Sequence, residues 1–240
     1  LRVINKSYLT WYSILWRNFF RFKMELKNFN KMGMLDPKCK KCRRVGEKLF
    51  LKGERCFGQK CAMIRKPYRP GLHGKSRRRG RLGEFGQQLI EKQKVRLLYG
   101  VSEKQFKNYI KAIAQRKGDK EELLLASLET RLDNVVFRLG LAKSRALARQ
   151  IVNHGHILVN QKKLDIPSYR VKKGDHVQIK EKSKKSPIFK DLKTILNKYE
   201  APSWLSLDKE KFEGQVLALP KTEDIGKVGE MGMIIEFYSR

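Results

Sequence analysis

Apolar positions recur every three or four residues through the middle of the chain and every second residue further on. Leu89, Ile90, Leu97 and Leu98 fall on one stripe and predict a helix over 84–99, stopped by Gly100. Ser102 and Gln105 have the spacing of a capping box, ahead of a second helix with Phe106, Tyr109, Ile110 and Ile113 on one face. Asp119 and Glu122 repeat that pattern before Leu124, Leu128, Leu132, Val135, Val136 and Leu139, as one long helix or two in tandem. A shorter helix starts at Ser144 and ends near Asn153, before Gly155. The period then changes to two. Ile157, Leu158 and Val159 lead into a turn at Asn160, Gln161 and Lys162, followed by Leu164 and Ile166. Val171, a Gly174–Asp175 turn and the alternating Val177 and Ile179 continue the strand signal. Ser186 and Pro187 open another helix, with Phe189, Leu192, Ile195, Leu196 and Tyr199 on its face. Two last strands are expected at 215–219 and 233–237.

The segment 34–85 follows neither period. It has 17 Lys and Arg against four acids, all four cysteines of the chain, and frequent Gly and Pro. So few apolar residues cannot order it unaided, so it needs a staple or a partner. The fold class expected is therefore α+β: a metal-stapled basic N-terminal arm, a helical domain, and a small helix-plus-β-hairpin domain with an antiparallel sheet.

Charge narrows the function. Across 240 residues, 55 Lys and Arg face 24 Asp and Glu, a formal net charge of +31. A folded chain with that charge repels itself unless a polyanion neutralises it, which points to nucleic acid or an anionic surface and away from ordinary metabolic enzymes. No apolar run approaches the roughly 20 residues of a membrane span. The leader, 1–33, has no acid before Glu25 and two of the three tryptophans. It reads as a presequence-like extension or as upstream sequence preceding a start at Met32 or Met34, and it carries no functional assignment.

Cys39, Cys42, Cys56 and Cys61 are spaced C-x2-C-x13-C-x4-C, two close pairs on one short segment, as in a four-thiolate metal site. Zinc is the expected ion and an iron–sulfur cluster the alternative; free thiols and disulfides are the bland readings. Residues 71–76 superficially resemble a phosphate-binding loop, but Arg69 stands where the motif needs glycine and no apolar strand precedes it. With Arg77, Arg78, Arg79 and Arg81 behind Lys75, this is a basic arm. On the helix from Ser144, about 100° per residue sets Arg145, Arg149 and Asn153 on one ridge, with Leu147 and Ile151 directed away. Such a ridge fits a nucleic-acid backbone; the alternative is a solvated face. His154 and His156 flank Gly155, where capping or phosphate contact fits better than metal ligation. Arg131-Leu132-Asp133 is similar to the R-L-D of pseudouridine synthases, but Asp133 sits in an apolar-periodic helix, so no enzyme is expected.

From Met34 onward the chain closely resembles the bacterial-type small-subunit ribosomal protein four family. The resemblance rests on P-K-C-K-K-C-R-R at 37–44, G-E-K-L-F-L-K-G-E-R-C at 46–56, R-L-D-N-V-V at 131–136, H-G-H-I-L-V-N at 154–160, D-I-P-S-Y at 165–169 and E-F-Y-S-R at 236–240. The hairpin turn departs from the family, which has Asn-Gly where this chain has Asn160-Gln161. The resemblance implies a primary binder of 16S rRNA that nucleates subunit assembly. It also implies neighbours in small-subunit proteins five and three, a place near the channel by which mRNA enters, a link to accuracy, and, in self-repressing relatives, binding of their own mRNA. A cytoplasmic ribosome, no membrane and no small-molecule substrate follow from the same resemblance. It divides the chain into a leader (1–33), a basic four-cysteine arm (34–85), a helical domain (86–130), an RNA-binding domain (131–195) and C-terminal strands packing back on the helical domain (196–240). The candidate RNA-binding residues are Lys40, Lys41, Arg43, Arg44, Lys75, Arg77, Arg78, Arg79, Arg81, Arg131, Asn134, Arg138, Lys143, Ser144, Arg145, Arg149, Asn153, His154 and His156.

Overall fold

Caps and stripes become helices where both are present. The computed structural model describes residues 37–75, 83–226 and 228–239. The leader and Arg77, Arg78, Arg79 and Arg81 lie outside the described residues. The arm holds α1 (Lys38–Val45) and the single turn α2 (Ala62–Arg65), with 3-10 turns at Gly53–Cys56 and Leu72–Lys75. The helical region holds α3 (Glu84–Leu98), α4 (Glu103–Ala114) and α5 (Lys120–Glu129). Ser102 caps α4 in a full capping box, its Oγ accepting from the Gln105 amide while Gln105 Oε1 accepts from the Ser102 amide. Asp119 caps α5 by accepting from the Glu121 amide.

The tandem reading of the next stretch is the observed one. α5 ends at Glu129 and α6 (Leu132–Arg138) begins after a break that backbone pairing enforces. The Leu132 and Asp133 amides donate to the Tyr169 and Pro167 carbonyls, the Val171 amide donates to Thr130, and Arg131 bridges Arg170. α7 (Arg145–Asn153) follows with Ser144 as its cap.

Next come β1 (Ile157–Val159), β2 (Lys162–Lys163) and β3 (His176–Ile179), then the short α8 (Glu181–Lys184) and α9 (Leu192–Asn197). β4 (Leu205–Asp208) and β5 (Glu213–Val216) complete one antiparallel sheet in the order β2-β1-β3-β5-β4. Pairing Ile157 with Ile179 and Val159 with Val177 puts all four side chains in the core, as the alternation requires. The β1–β2 turn places Asn160 and Gln161 both at positive φ (49° and 66°), the geometry that normally calls for Asn-Gly. Asn160 anchors it by donating to Asp175 and accepting from the His176 amide.

The last forty residues correct the sequence expectation. β4 and β5 join the hairpin sheet rather than the helical region, and 233–237 is not a strand. It lies within α11 (Met231–Ser239), which packs on α3 and α5 after the short α10 (Thr222–Ile225). Met233, Ile235 and Phe237 mimic alternation, but the inward stripe is the buried Met231 and Ile234 with the half-buried Tyr238, spaced three and four apart. Among the described residues, two apolar cores result. One gathers Leu132, Val136, Leu139, Ile151, Ile157, Val177 and Trp204 under the sheet. The other gathers Val95, Phe106, Leu124, Leu128, Ile225 and Ile234 between the helices.

Candidate nucleic-acid interface

The arginines predicted to form an RNA-facing ridge turn mostly inward. Glu129 is fully buried and accepts from Tyr99 Oη (2.6 Å), Asn134 Nδ2 (2.6 Å) and both Nε and Nη2 of Arg138 (3.0 and 2.7 Å). Burial alone would raise its carboxyl pKa; the Arg138 hydrogen bonds and the Arg138 and Arg145 charges outweigh that and hold it below the ordinary value. Tyr99 goes the other way, its hydroxyl pushed well up by burial and by the Glu129 charge.

A second knot surrounds Asp133. Arg131 grips it with two hydrogen bonds, 3.1 and 3.0 Å, and donates to Tyr109 Oη. Arg149 reaches the same carboxylate from α7 (Nε to Oδ2, 2.9 Å) and also donates to the Gly100 and Tyr99 carbonyls. Arg145 donates to Asn134 Oδ1 (2.7 Å) with its guanidinium over the Phe137 and Tyr99 rings. These contacts tie α6 and α7 to the α3–α4 turn.

Arg131 and Asn134, expected as RNA ligands, are each 2% exposed and hydrogen-bonded within the protein. Arg138, Arg145 and Arg149 are likewise engaged internally, because unpaired carboxylates at Glu129 and Asp133 would be costly in that core. Ser144 is a buried helix cap. Asp133, the aspartate of the R-L-D run, is ion-paired and buried.

In the arm, Lys41 is buried, whereas Lys40 and Lys75 are exposed. Arg43 donates to the Lys66 and Tyr68 carbonyls and lies over the Tyr68 ring, and Arg44 is half-buried. Lys143 pairs with Glu54 at 2.8 Å, and the Lys143 carbonyl lies where a Cβ on Gly53 would go, so the arm closes against the start of α7. Residues 72–75 form a 3-10 turn with Leu72 fully exposed, unlike the strand–loop–helix of a nucleotide-binding loop.

All four cysteines are free and line one small cavity, with Cys42, Cys56 and Cys61 buried. Burial pushes the Cys42 thiol pKa up, with smaller additions from Cys56, Cys39 and Cys61. Among the described residues, no three His, Cys, Asp or Glu side chains already stand as a metal-ligand set. The donor chemistry nonetheless fits a thiophilic ion: four cysteines line one cavity in a segment with little core of its own.

A further set of basic side chains gathers beside the hairpin. Asn153 and His154 are exposed, and His156 is half-buried with Nδ1 2.9 Å from Ser183 Oγ and its ring edge-on to Phe189. Burial lowers the His156 pKa, and His154 and Lys180 add to that. Around the two histidines stand Lys163, Lys180, Lys182 and Lys185, which the sequence pattern does not single out. Only their convergence across β2, β3 and α8 marks them, although the run from 180 to 185 holds four lysines.

The family model of the ribosomal protein S4/S9 N-terminal domain matches residues 34–129, and that of the S4 domain matches 130–177. The chain is 51% identical over 204 residues to the small ribosomal subunit protein uS4 of Natranaerobius thermophilus, covering 85% of this chain and 97% of that one. The chain belongs to the uS4 family. Identity is 52% with uS4 of Halothermothrix orenii, over 85% of this chain and 97% of that one, and 52% with uS4A of Alkaliphilus metalliredigens, over 85% and 98%. The uS4 family is a structural, non-catalytic family of the small ribosomal subunit, and no helix among the described residues is long and apolar enough to cross a membrane. The two matched segments meet at residue 130, where α5 breaks into α6.

Proposed function

We propose that the protein binds 16S rRNA directly, early enough to nucleate assembly of the small subunit, and stays beside small-subunit proteins five and three near the channel by which mRNA enters. The observation that carries this reading is about 50% identity over nearly the whole length of uS4 proteins, on a chain of net charge +31. Phosphate contacts come from side chains at the surface: Lys40, Lys75, Asn153, His154 and the lysines around the hairpin, with Arg77, Arg78, Arg79 and Arg81 assigned from sequence. The inward arginines act one step back, fixing the angle between the helical region and the sheet module. A link to translational accuracy follows if that angle sets the protein's fit among its neighbours.

Cys39, Cys42, Cys56 and Cys61 would hold zinc, with an iron–sulfur cluster as the alternative occupant. Either would supply folding free energy to the arm. Binding of a 16S rRNA junction fragment, measured against duplex DNA of equal length across a salt series, tests the main reading. Tight, salt-dependent binding to the junction RNA with at least tenfold weaker binding to DNA is expected; equal affinity for both would overturn it.

A further inference from the structure

Beyond the end of α7 and beside the hairpin, the chain builds an open cleft whose lining, among the described residues, is entirely uncharged or positive. Lys163 enters it from β2, Lys180 from the end of β3, Lys182 from α8 and Lys185 from just beyond, with His154 and His156 between them. Among the described residues, no carboxylate lines the cleft; the nearby Glu181 is exposed and paired with Lys184. Among the described residues, none of the four lysine ammoniums makes an ion pair.

The cleft is also preorganised. Gly155 sits at φ +69°, and a Cβ there would lie 2.2 Å from Lys163 Cε and 2.9 Å from its Nζ. The missing side chain is therefore what lets the Lys163 stem cross the floor and hold its ammonium beside the histidines. Opposite, the Lys180 amide donates to the His156 carbonyl, and Ser183 Oγ meets His156 Nδ1, which fixes the ring and leaves Nε2 for another partner. Positive groups held together without a counter-charge repel one another, and an anion relieves that repulsion.

We propose that this cleft is a phosphate site for the RNA backbone, with Lys163, Lys180, Lys182 and Lys185 supplying charge and His156 supplying a donor whose protonation is coupled to phosphate entry. It rests on the RNA-binding reading above and names the part of the surface involved. The groups facing His156 are His154 from the end of α7, Lys163 from β2, Lys180 from β3, Ser183 from α8 and Phe189 beyond it. None is acidic, so in the free protein nothing favours the imidazolium. A phosphate supplies that missing negative charge, so RNA binding should draw a proton and affinity should rise as pH falls from 8 to 6. One proton taken up allows at most about tenfold per pH unit.

The test uses the full chain and a 16S rRNA junction fragment. The variants are Lys163→Gln/Lys182→Gln/Lys185→Gln, all three exposed, and His154→Gln/His156→Gln. The triple variant should lose roughly tenfold or more in affinity and flatten the log K against log salt slope by about 2. The histidine variant should bind nearly as wild type at pH 8 but lose the rise toward pH 6. Wild-type affinity and slope in the triple variant, with fold intact by circular dichroism, would overturn the cleft while leaving RNA binding itself standing. If wild type binds no RNA, the functional reading fails, and the cleft is judged by titrating inorganic phosphate against the histidine Cε1–H resonances. Signals that move in wild type and not in the triple variant would then show a site for free phosphate and refute the RNA assignment. Signals that stay still would remove the site altogether.

Discussion

Helical periodicity alone sets Arg149 on a solvent-facing ridge, where replacement by alanine leaves stability within about 0.5 kcal/mol. Its environment says otherwise. The guanidinium bonds the Asp133 carboxylate and the Gly100 and Tyr99 carbonyls, bridging α7 to both α6 and the α3–α4 turn. A charge-assisted hydrogen bond contributes about 1.5–3 kcal/mol, and breaking a fully buried pair costs about 3–5 kcal/mol. Two facts place Arg149→Ala below the upper figure. Its side chain is 23% exposed, so solvent screens part of the interaction, and Asp133 keeps its two-pronged contact with Arg131. The expected loss is about 2–3 kcal/mol, or about 4–12 °C in Tm for a fold of this size. Arg149→Lys should recover under half of it, since one ammonium cannot reach the carboxylate and both carbonyls with the same geometry. Urea unfolding followed by circular dichroism measures this directly, with the exposed neighbour Gln150→Ala as control. A variant as stable as wild type but with weakened RNA binding and a flatter salt slope would refute the inward assignment and return Arg149 to the RNA surface.

Glu129 gives a pH signature: its carboxyl is depressed in the native state, so its stabilisation is fully present above the ordinary glutamate value of about 4.3 and is lost as pH falls from there toward the native value. Unfolding free energy measured from pH 7 to pH 3 should drop over that lower window, and Glu129→Gln, less stable at pH 7, should show a shallower drop. Gly155→Ala should cost about 1–2 kcal/mol from its positive φ and weaken RNA binding by displacing Lys163, read from paired melting and binding curves. Cys56→Ser should abolish metal uptake, and chelation should expose 37–69 to protease while the sheet module stays protected; protection unchanged by chelator would leave four ordinary thiols. Ile234→Ala, at a position with no exposed surface, should destabilise by about 2–4 kcal/mol without altering phosphate contacts at the hairpin.

Local signals were readable in the sequence, and distant ones were not. Ser102 with Gln105 declares its own helix start, because the cap and its partner are three residues apart. The β1–β3 alternation declares a buried face because turn residues at 160–162 and 174–175 bound the short runs on either side. The arginine ridge failed for the opposite reason. Arg149 lies on one face with Arg145, as helical geometry requires, but whether that face meets water or Asp133 depends on how α7 docks on α6. Net charge supplied a bias toward the polyanion, and the carboxylates that claim these arginines lie on other elements. The misreading of 233–237 has a separate cause: five residues of alternation fit both periods, and only the packing of Met231, Ile234 and Tyr238 against α3 and α5 separates them. Three of the four cleft lysines come from the run 180–185, and only the sheet brings Lys163 of β2 to them.

The path of the chain through its two cores sets a timetable for synthesis. Val95, Phe106 and Leu128 are made early, yet their cover includes Ile225, Met231 and Ile234, which follow only after the whole sheet module. The sheet module, by contrast, draws its core from a later and more contiguous stretch, 132–216. A nascent chain therefore presents an open apolar trough between α3 and α5 until its final helix arrives, and the part made first is the part finished last. Such a trough on so cationic a chain is a hazard in a cell full of RNA and other nascent proteins. Chains truncated within α11 would carry an intact hairpin surface, and so compete for RNA, on a body that never closes.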